Sequence, residues 1–375
     1  MAIRIKGDIF DGETLRNDHQ LVIDGDKIAQ IASDGNVTID YTNTIDYTDK
    51  WIVPGFIDCQ VNGGGGVLLN DETSETGLKA MVEAHSAFGT VAMLPTLISD
   101  TLEKAQQAMQ VINESDLPEV VGIHLEGPFL NKNKKGVHDD QFFSVIDQAA
   151  LQQLSCAFGK HKLITLAPEK QPKGTIKQLI DNGWQVFAGH TDASIEACQQ
   201  AIDEGLRGFT HLYNAMSPLM GRAPNAVGAA LLADQCYCGV IADGFHVHPE
   251  CIKLAIKAKP RGKVFLVTDS MSTVGSSNKS FMLNDKKIQA KGGKLETEEG
   301  VLAGADLDMH TAVKNMAKWL DGDWQEAVRM ASAYPAKCLG LDDKLGYLKA
   351  GFNASFVVIN KDFTIDSVWI NGKKK

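Results

Sequence analysis

The sequence predicts an α/β chain in which a (β/α)8 barrel is inserted into a small β-sandwich domain formed by both chain ends. Three observations carry this. Eight short apolar runs recur through residues 51–340, separated by helix-like stretches, the texture of βα units around a parallel sheet. Both termini instead alternate apolar and polar residues around turn dipeptides. With 375 residues, 44% hydrophobic and 22% charged, the chain has globular composition and the length for a large barrel with an appendage.

Residues 1–50 supply the first part of the small domain. Ile3 and Ile5 alternate, Asp11-Gly12 and Asp24-Gly25 read as turns, and Lys27-Ile28-Ala29-Gln30-Ile31 alternates again. Residues 341–375 repeat the texture, with Ser367-Val368-Trp369-Ile370 running into Asn371-Gly372, a hairpin-type turn pair. The barrel occupies residues 51–340. Its strands are expected at 51–59, 91–97, 120–125, 163–167, 184–188, 208–210, 237–242 and 264–268, with helices such as 75–88, 176–182 and 195–204 between them. Gly292-Gly293 and Glu299-Gly300 bound an alternating segment over 281–302, expected as a β-hairpin inserted after the eighth strand.

Charge and cysteine usage narrow the function classes. Lys and Arg number 37 against 47 Asp and Glu, a net charge of -10, so no basic field exists for nucleic acid or anionic membranes. The terminal Lys373-Lys374-Lys375 reads as a solvated end. Seven cysteines lie scattered without the spacing of a disulfide framework, which suits a reducing compartment. The start of the chain lacks the continuous apolar stretch of an export signal, and nowhere do about 18 uncharged apolar residues run together. A cytoplasmic protein that neither enters nor spans a membrane is expected.

In a (β/α)8 barrel chemistry sits at the C-terminal ends of the strands. Here the first strand leads into Asp58, Gln60 and Asn62, the third into Glu126, and the fifth and sixth into His190 and His211. The seventh and eighth lead into Asp243 and Asp269. Glu126, His190 and His211 make up one carboxylate and two imidazoles from separate strands, a ligand set for a catalytic zinc-type ion. A lone histidine is more often a hydrogen-bonded core residue, but three such groups at successive strand ends favour a metal. Asp269 could take a proton from an activated water and return it to a leaving group; its bland reading is a helix cap.

The motifs go further. Pro54-Gly55-Phe56-Ile57-Asp58-Cys59-Gln60-Val61-Asn62-Gly63-Gly64, His124-Leu125-Glu126-Gly127-Pro128-Phe129, Gly189-His190-Thr191-Asp192-Ala193 and His211-Leu212-Tyr213-Asn214-Ala215-Met216 resemble the N-acetylglucosamine-6-phosphate deacetylase family of the amidohydrolase superfamily. Asp243-Gly244-Phe245-His246, Val267-Thr268-Asp269 and the segment from Gly346 to Ala354 extend the resemblance over essentially the whole chain. It implies a barrel of the metal-dependent amidohydrolase type. The implied reaction is hydrolysis of N-acetyl-D-glucosamine 6-phosphate to D-glucosamine 6-phosphate and acetate in amino-sugar catabolism. Glu126, His190 and His211 would hold the metal and Asp269 would move the proton.

Many amidohydrolases carry a His-x-His pair after the first strand, where this chain has Gln60 and Asn62. Neutral amides are poor ligands for a zinc-type ion, so one divalent metal per subunit is expected, zinc first, with iron, cobalt or nickel accepted by the same set. Gln60 is expected to reach the site through bound water. The resemblance also implies that His138 polarises the acetyl carbonyl, that Gly136 and Val137 shape its loop, and that Leu302, Ala303 and Gly304 line the sugar pocket. Asn214, Ala215 and His246 would bind the phosphate. Arg222 would do so from the neighbouring subunit, making a homodimer with shared sites. Read without the resemblance, His138 is a surface histidine and Arg222 a solvated loop residue. His248 and the thiols Cys236 and Cys238 read as structural. Ser270-Met271-Ser272-Thr273 departs from the small-residue run expected after the catalytic aspartate, so an N-acetylgalactosamine-6-phosphate deacetylase is a second reading. A non-catalytic sugar-phosphate sensor is a third, opposed by the intact Glu126 and Asp269.

Overall fold

The computed structural model describes residues 2–33 and 35–375. Among them, strands Ile3–Phe10, Leu15–Asp24, Lys27–Ser33 and Asn43–Pro54 join Phe356–Ile359, Ile365–Ile370 and Lys373–Lys374 in one seven-stranded sheet. Asn43–Pro54 is the hinge of this sheet. It runs parallel to Ile3–Phe10 and antiparallel to Phe356–Ile359, so one strand ties the beginning of the chain to its end. Ile5, Ile9, Leu21, Ile23, Ile52, Phe356 and Trp369 close over one buried apolar cluster, as period-2 alternation requires.

The eight expected barrel strands are present as Phe56–Val61, Thr90–Ile98, Gly122–Glu126, His161–Leu166, Trp184–Ala188, Gly208–Phe209, Tyr237–Ile241 and Val264–Val267. They follow one another in chain order in a single sheet, and the described registers between neighbours are parallel. Closure comes from Asp269 N donating to Gln60 O at 3.0 Å and Asn62 N donating to Ser270 O at 3.0 Å. No helix among the described residues is long and apolar enough to cross a membrane.

Two expectations are corrected. The first apolar run is not one strand: it breaks at Gly55, leaving 51–54 in the end sheet and 56–61 in the barrel. A Cβ at Gly55 would stand 2.4 Å from both Val91 methyls, so only glycine lets the chain pass there. The inserted segment is not a two-stranded hairpin but a three-stranded antiparallel sheet, Ser280–Leu283, Lys286–Lys291 and Lys294–Thr297. Its first turn, Asn284-Asp285, has φ of 48° and 60°, matching Gly292-Gly293 at 60° and 87°. Two successive positive φ values make the turn that suits strand twist, and Asn and Asp tolerate it almost as glycine does.

By compactness the chain divides into two units. One comprises residues 1–58, 85–92 and 309–375, the other 59–84 and 93–308. Helices Met309–Trp319, Trp324–Ala331 and Ala333–Leu339 thus cluster with the terminal strands, where Trp324 stacks on Trp51 at 4.4 Å. Every proposed ligand and substrate contact lies in the other unit.

Candidate active site

Glu126 closes the third barrel strand, and His190, His211 and Asp269 stand two residues beyond the fifth, sixth and eighth. All four line one cavity of about 390 Å³. The last three leave their strands in the left-handed region, with φ of 47°, 31° and 51°. That conformation costs an L-residue roughly 1–2 kcal/mol, and such strain collects where side chains must be aimed. Here the aim is common to all three.

His190 Nδ1 lies 2.8 Å from the Lys134 carbonyl oxygen. A carbonyl only accepts, so Nδ1 carries the hydrogen and Nε2 presents its lone pair. That Nε2 is 3.2 Å from Glu126 Oε1 and 3.1 Å from His211 Nε2, while His211 Nε2 is 2.9 Å from Glu126 Oε1. Burial resists charge on Glu126, yet the His190 and His211 rings set against it hold its carboxyl well below the usual range. Burial likewise pulls His211 down, and the Glu126 carboxylate more than reverses it. Among the described residues His211 Nδ1 is buried with no hydrogen-bond partner.

Two imidazole nitrogens and a carboxylate oxygen converging this closely form a donor set that a divalent cation satisfies. Glu126, His138 and His190 also bring ligand atoms within 4.8 Å of one another. The trio with His211 is tighter.

Asp269 is held from the opposite side. Asn62 Nδ2 donates to its Oδ1 at 2.7 Å and Gln60 Nε2 at 3.0 Å. Burial first, and the Glu126 charge second, push its carboxyl up to about 6. Gln60 Nε2 also lies 3.1 Å from both Glu126 oxygens, so one amide bridges the two carboxylates. The Gln60 amide nitrogen thus faces protein carboxylates, and Asn62 rather than Gln60 lines the cavity.

The other expected residues divide. Val137, His138, Asn214, Ala215, His246, Leu302 and Gly304 line the cavity. Ala303 does not: it is fully buried behind the wall, donating its N–H to Leu295 O at 3.2 Å. Arg222 is exposed and absent from the lining within this chain. His246 Nδ1 lies 2.6 Å from Asp243 Oδ2. Burial would raise the Asp243 carboxyl, but that bond and the His246 and Phe245 N–H groups hold it low. His248 caps helix Pro249–Ala258 through Nδ1. Cys236 and Cys238 are buried, and burial pushes the Cys238 thiol up to about 12.

His124 does not reach Glu126. Its Nε2 meets Thr165 Oγ1 at 2.8 Å, and Thr165 Oγ1 meets Thr210 Oγ1 at 2.6 Å, a polar layer inside the barrel. Sequence reasoning missed Ser99, whose hydroxyl lies 2.8 Å from His138 Nδ1. It missed Glu169 too, which accepts from Asn131 Nδ2 and Asp192 N at 2.8 Å each and braces the loops around His190. A serine or glutamate in a loop carries no periodicity, so nothing in the one-dimensional pattern marked either.

Known proteins align with this arrangement. The amidohydrolase family pattern matches residues 51–375. The N-acetylgalactosamine-6-phosphate deacetylase of Shewanella sp. (strain ANA-3) is 40% identical over 330 residues, covering 87% of this chain and 83% of that protein. The N-acetylglucosamine-6-phosphate deacetylase of Haemophilus influenzae is 32% identical over 365 residues, covering 96% and 95%. The crystal structure of N-acetylglucosamine-6-phosphate deacetylase from Pasteurella multocida superposes with a TM-score of 0.95 at 34% identity over the whole of both chains. A barrel whose strand ends gather a carboxylate and two imidazoles, and a family match spanning residues 51–375, lead to one conclusion: this chain belongs to the metal-dependent amidohydrolase family.

Proposed function

We propose that this enzyme hydrolyses the acetamide of N-acetyl-D-glucosamine 6-phosphate, releasing D-glucosamine 6-phosphate and acetate in amino-sugar catabolism. The observation that carries it is the meeting of Glu126, His190 and His211 within 3.2 Å in a cavity that also holds Asp269, in a chain alignable end to end with such deacetylases. The galactosamine epimer is a second reading, favoured by the 40% identity to a deacetylase of that sugar.

Glu126, His190 and His211 would hold one divalent metal per subunit, zinc first, with iron, cobalt or nickel suited to the same donors. When bound, the metal polarises the amide carbonyl and brings the pKa of water to about 7. Asp269 accepts the proton of the attacking water and delivers it to the departing amine. Held by the Asn62 and Gln60 amides inside the same cavity, its carboxyl is placed for both halves of that task. His138 donates to the oxygen that gains charge, an interaction that can contribute about 2.7–4 kcal/mol to lowering the barrier. Asn214, Ala215 and His246 receive the phosphate. A single metal is supported by the Gln60 amide, which stands between Glu126 and Asp269.

Arg222 would complete the phosphate site of a neighbouring copy, making the enzyme a homodimer. Its loop supports this, since Leu219 and Met220 beside it are 52% and 58% exposed. The seven free cysteines fit residence in the cytoplasm. The test is acetate release from both hexosamine phosphates by protein of measured metal content. Release from the glucosamine epimer at about one metal per chain, the stoichiometry of such a ligand set, is expected. Faster release from the other epimer would shift the assignment to the second reading; release from neither by metal-loaded protein would overturn both.

A further inference from the structure

His138 and His190 stand side by side, ring centroids 4.4 Å apart, and the backbone gives them opposite partners. His190 Nδ1 faces a carbonyl, Lys134 O, and must donate. His138 Nδ1 faces an amide: Ser99 N–H donates to it at 3.3 Å, with the Ser99 hydroxyl 2.8 Å away. An amide N–H can only donate, so His138 Nδ1 must accept. A neutral imidazole that accepts at Nδ1 carries its hydrogen on Nε2. We infer that Ser99 is a positioning residue that locks His138 as the Nε2–H tautomer, making it a hydrogen-bond donor toward the reacting carbonyl and withholding it from the metal.

Three further observations fit. Ser99 directly follows the second barrel strand, Thr90–Ile98, and is buried, so its N–H is held by the barrel rather than by a loose loop. His138 is buried as well, and a ring that accepts at Nδ1 from an amide is the form in which the tautomer decides what each nitrogen can do. Gly127 makes the room: a Cβ there would fall 2.3 Å from Ser99 Oγ, so the glycine after Glu126 admits the hydroxyl. The alternative is a proton on Nδ1 donated to Ser99 Oγ. It would aim the Ser99 N–H at a protonated nitrogen and leave the hydroxyl only Glu126 O at 3.5 Å, the limit of a hydrogen bond. The same assignment removes His138 from the wider Glu126, His138, His190 grouping, because ligation through Nε2 needs the lone pair that the hydrogen occupies.

The inference rests on the deacetylase reading for what the donor acts upon, but its first test does not depend on turnover. In ¹⁵N-histidine-labelled, zinc-loaded protein, the ring nitrogens of His138, assigned by loss of its signals in His138→Gln, are expected to show a pyridine-type Nδ1 and a protonated Nε2. A protonated Nδ1 in the wild type would overturn the inference whatever the enzyme's activity. Kinetics form the second test. Ser99→Ala keeps the amide but removes the hydroxyl, the nearer of the two groups at His138 Nδ1, and is expected to lower kcat about tenfold, with KM and metal content unchanged. The loss should vanish when Ser99→Ala is made in the His138→Gln background. Full additivity of the two substitutions would show that Ser99 acts elsewhere and defeat the proposal. Loss of acetate release in every protein, with the Nε2–H tautomer intact, would count against the deacetylase reading alone.

Discussion

The end sheet and the barrel mouth bury residues for opposite reasons. In the end sheet Ile5, Ile9, Leu21, Phe356 and Trp369 leave water together, each with backbone in ordinary extended geometry, and Phe356 and Trp369 stack at 5.4 Å. In the barrel mouth Glu126, His190, His211 and Asp269 are buried although burial disfavours their charges, and three of the four sit at positive φ. The first region stabilises the fold. The second is destabilising by itself and is held in place by its surroundings, as reactive sites commonly are.

The sharpest way to test that contrast is Asp269→Asn. Turnover should fall about 10²–10⁴-fold, the usual contribution of a positioned acid–base group, with metal content retained. The same substitution should have a stability signature of the opposite sign. Asp269 is raised from 3.8 to about 6 in the folded chain, so its contribution to stability is present at low pH and lost as pH rises through about 6. Melting of chelator-treated protein should therefore show Asp269→Asn more favourable relative to wild type at pH 8 than at pH 4. A uniform loss of stability at both pH values would break the comparison.

Phe356→Ala probes the other region. It should cost about 3–5 kcal/mol of stability, read from denaturant unfolding, while kcat of the protein that remains folded stays near wild type. A fall in kcat at saturating metal would mean the end sheet shapes the chemistry.

Arg222→Ala should raise KM for the 6-phosphate sugar about 10–100-fold, from a charge-assisted hydrogen bond of about 1.5–3 kcal/mol. KM for the unphosphorylated sugar should hardly move. Mixed dimers of Arg222→Ala with Asp269→Asn chains should regain activity, since one site would combine an intact Asp269 with its neighbour's Arg222. Verified heterodimers without recovery would place the arginine's action within its own chain.

The smallest effect is expected from Asp243→Asn. The carboxylate 2.6 Å from His246 Nδ1 holds that ring in place at the cavity. Its loss should raise KM for the phosphorylated sugar several-fold, about 1 kcal/mol, without changing kcat. An unchanged KM would leave His246 held by other groups.

Much of this is legible in the amino-acid sequence. Eight apolar runs end in polar residues, and a barrel gathers strand ends at one mouth, so Glu126, His190, His211 and Asp269 could be grouped from spacing alone. The errors fell where local chemistry overrode pattern. Pro54-Gly55 divides one apolar run between two sheets, and Asn284-Asp285 adopts a turn expected only of the glycine pair further on. Nor can a sequence show that the Gln60 amide nitrogen fits between two carboxylates.

The sequence by itself determined the strand count, the joining of the two ends and which side chains crowd the mouth, because periodicity and strand-end position are properties of neighbouring residues. Only the tertiary structure decided what each crowded group can do. Lys134 O makes His190 a lone-pair donor across 56 residues, and Ser99 N makes His138 a hydrogen donor across 39. Both partners are backbone atoms, which every residue has, so no choice of amino acid announces them. Their direction toward one ring nitrogen exists only once the barrel has closed.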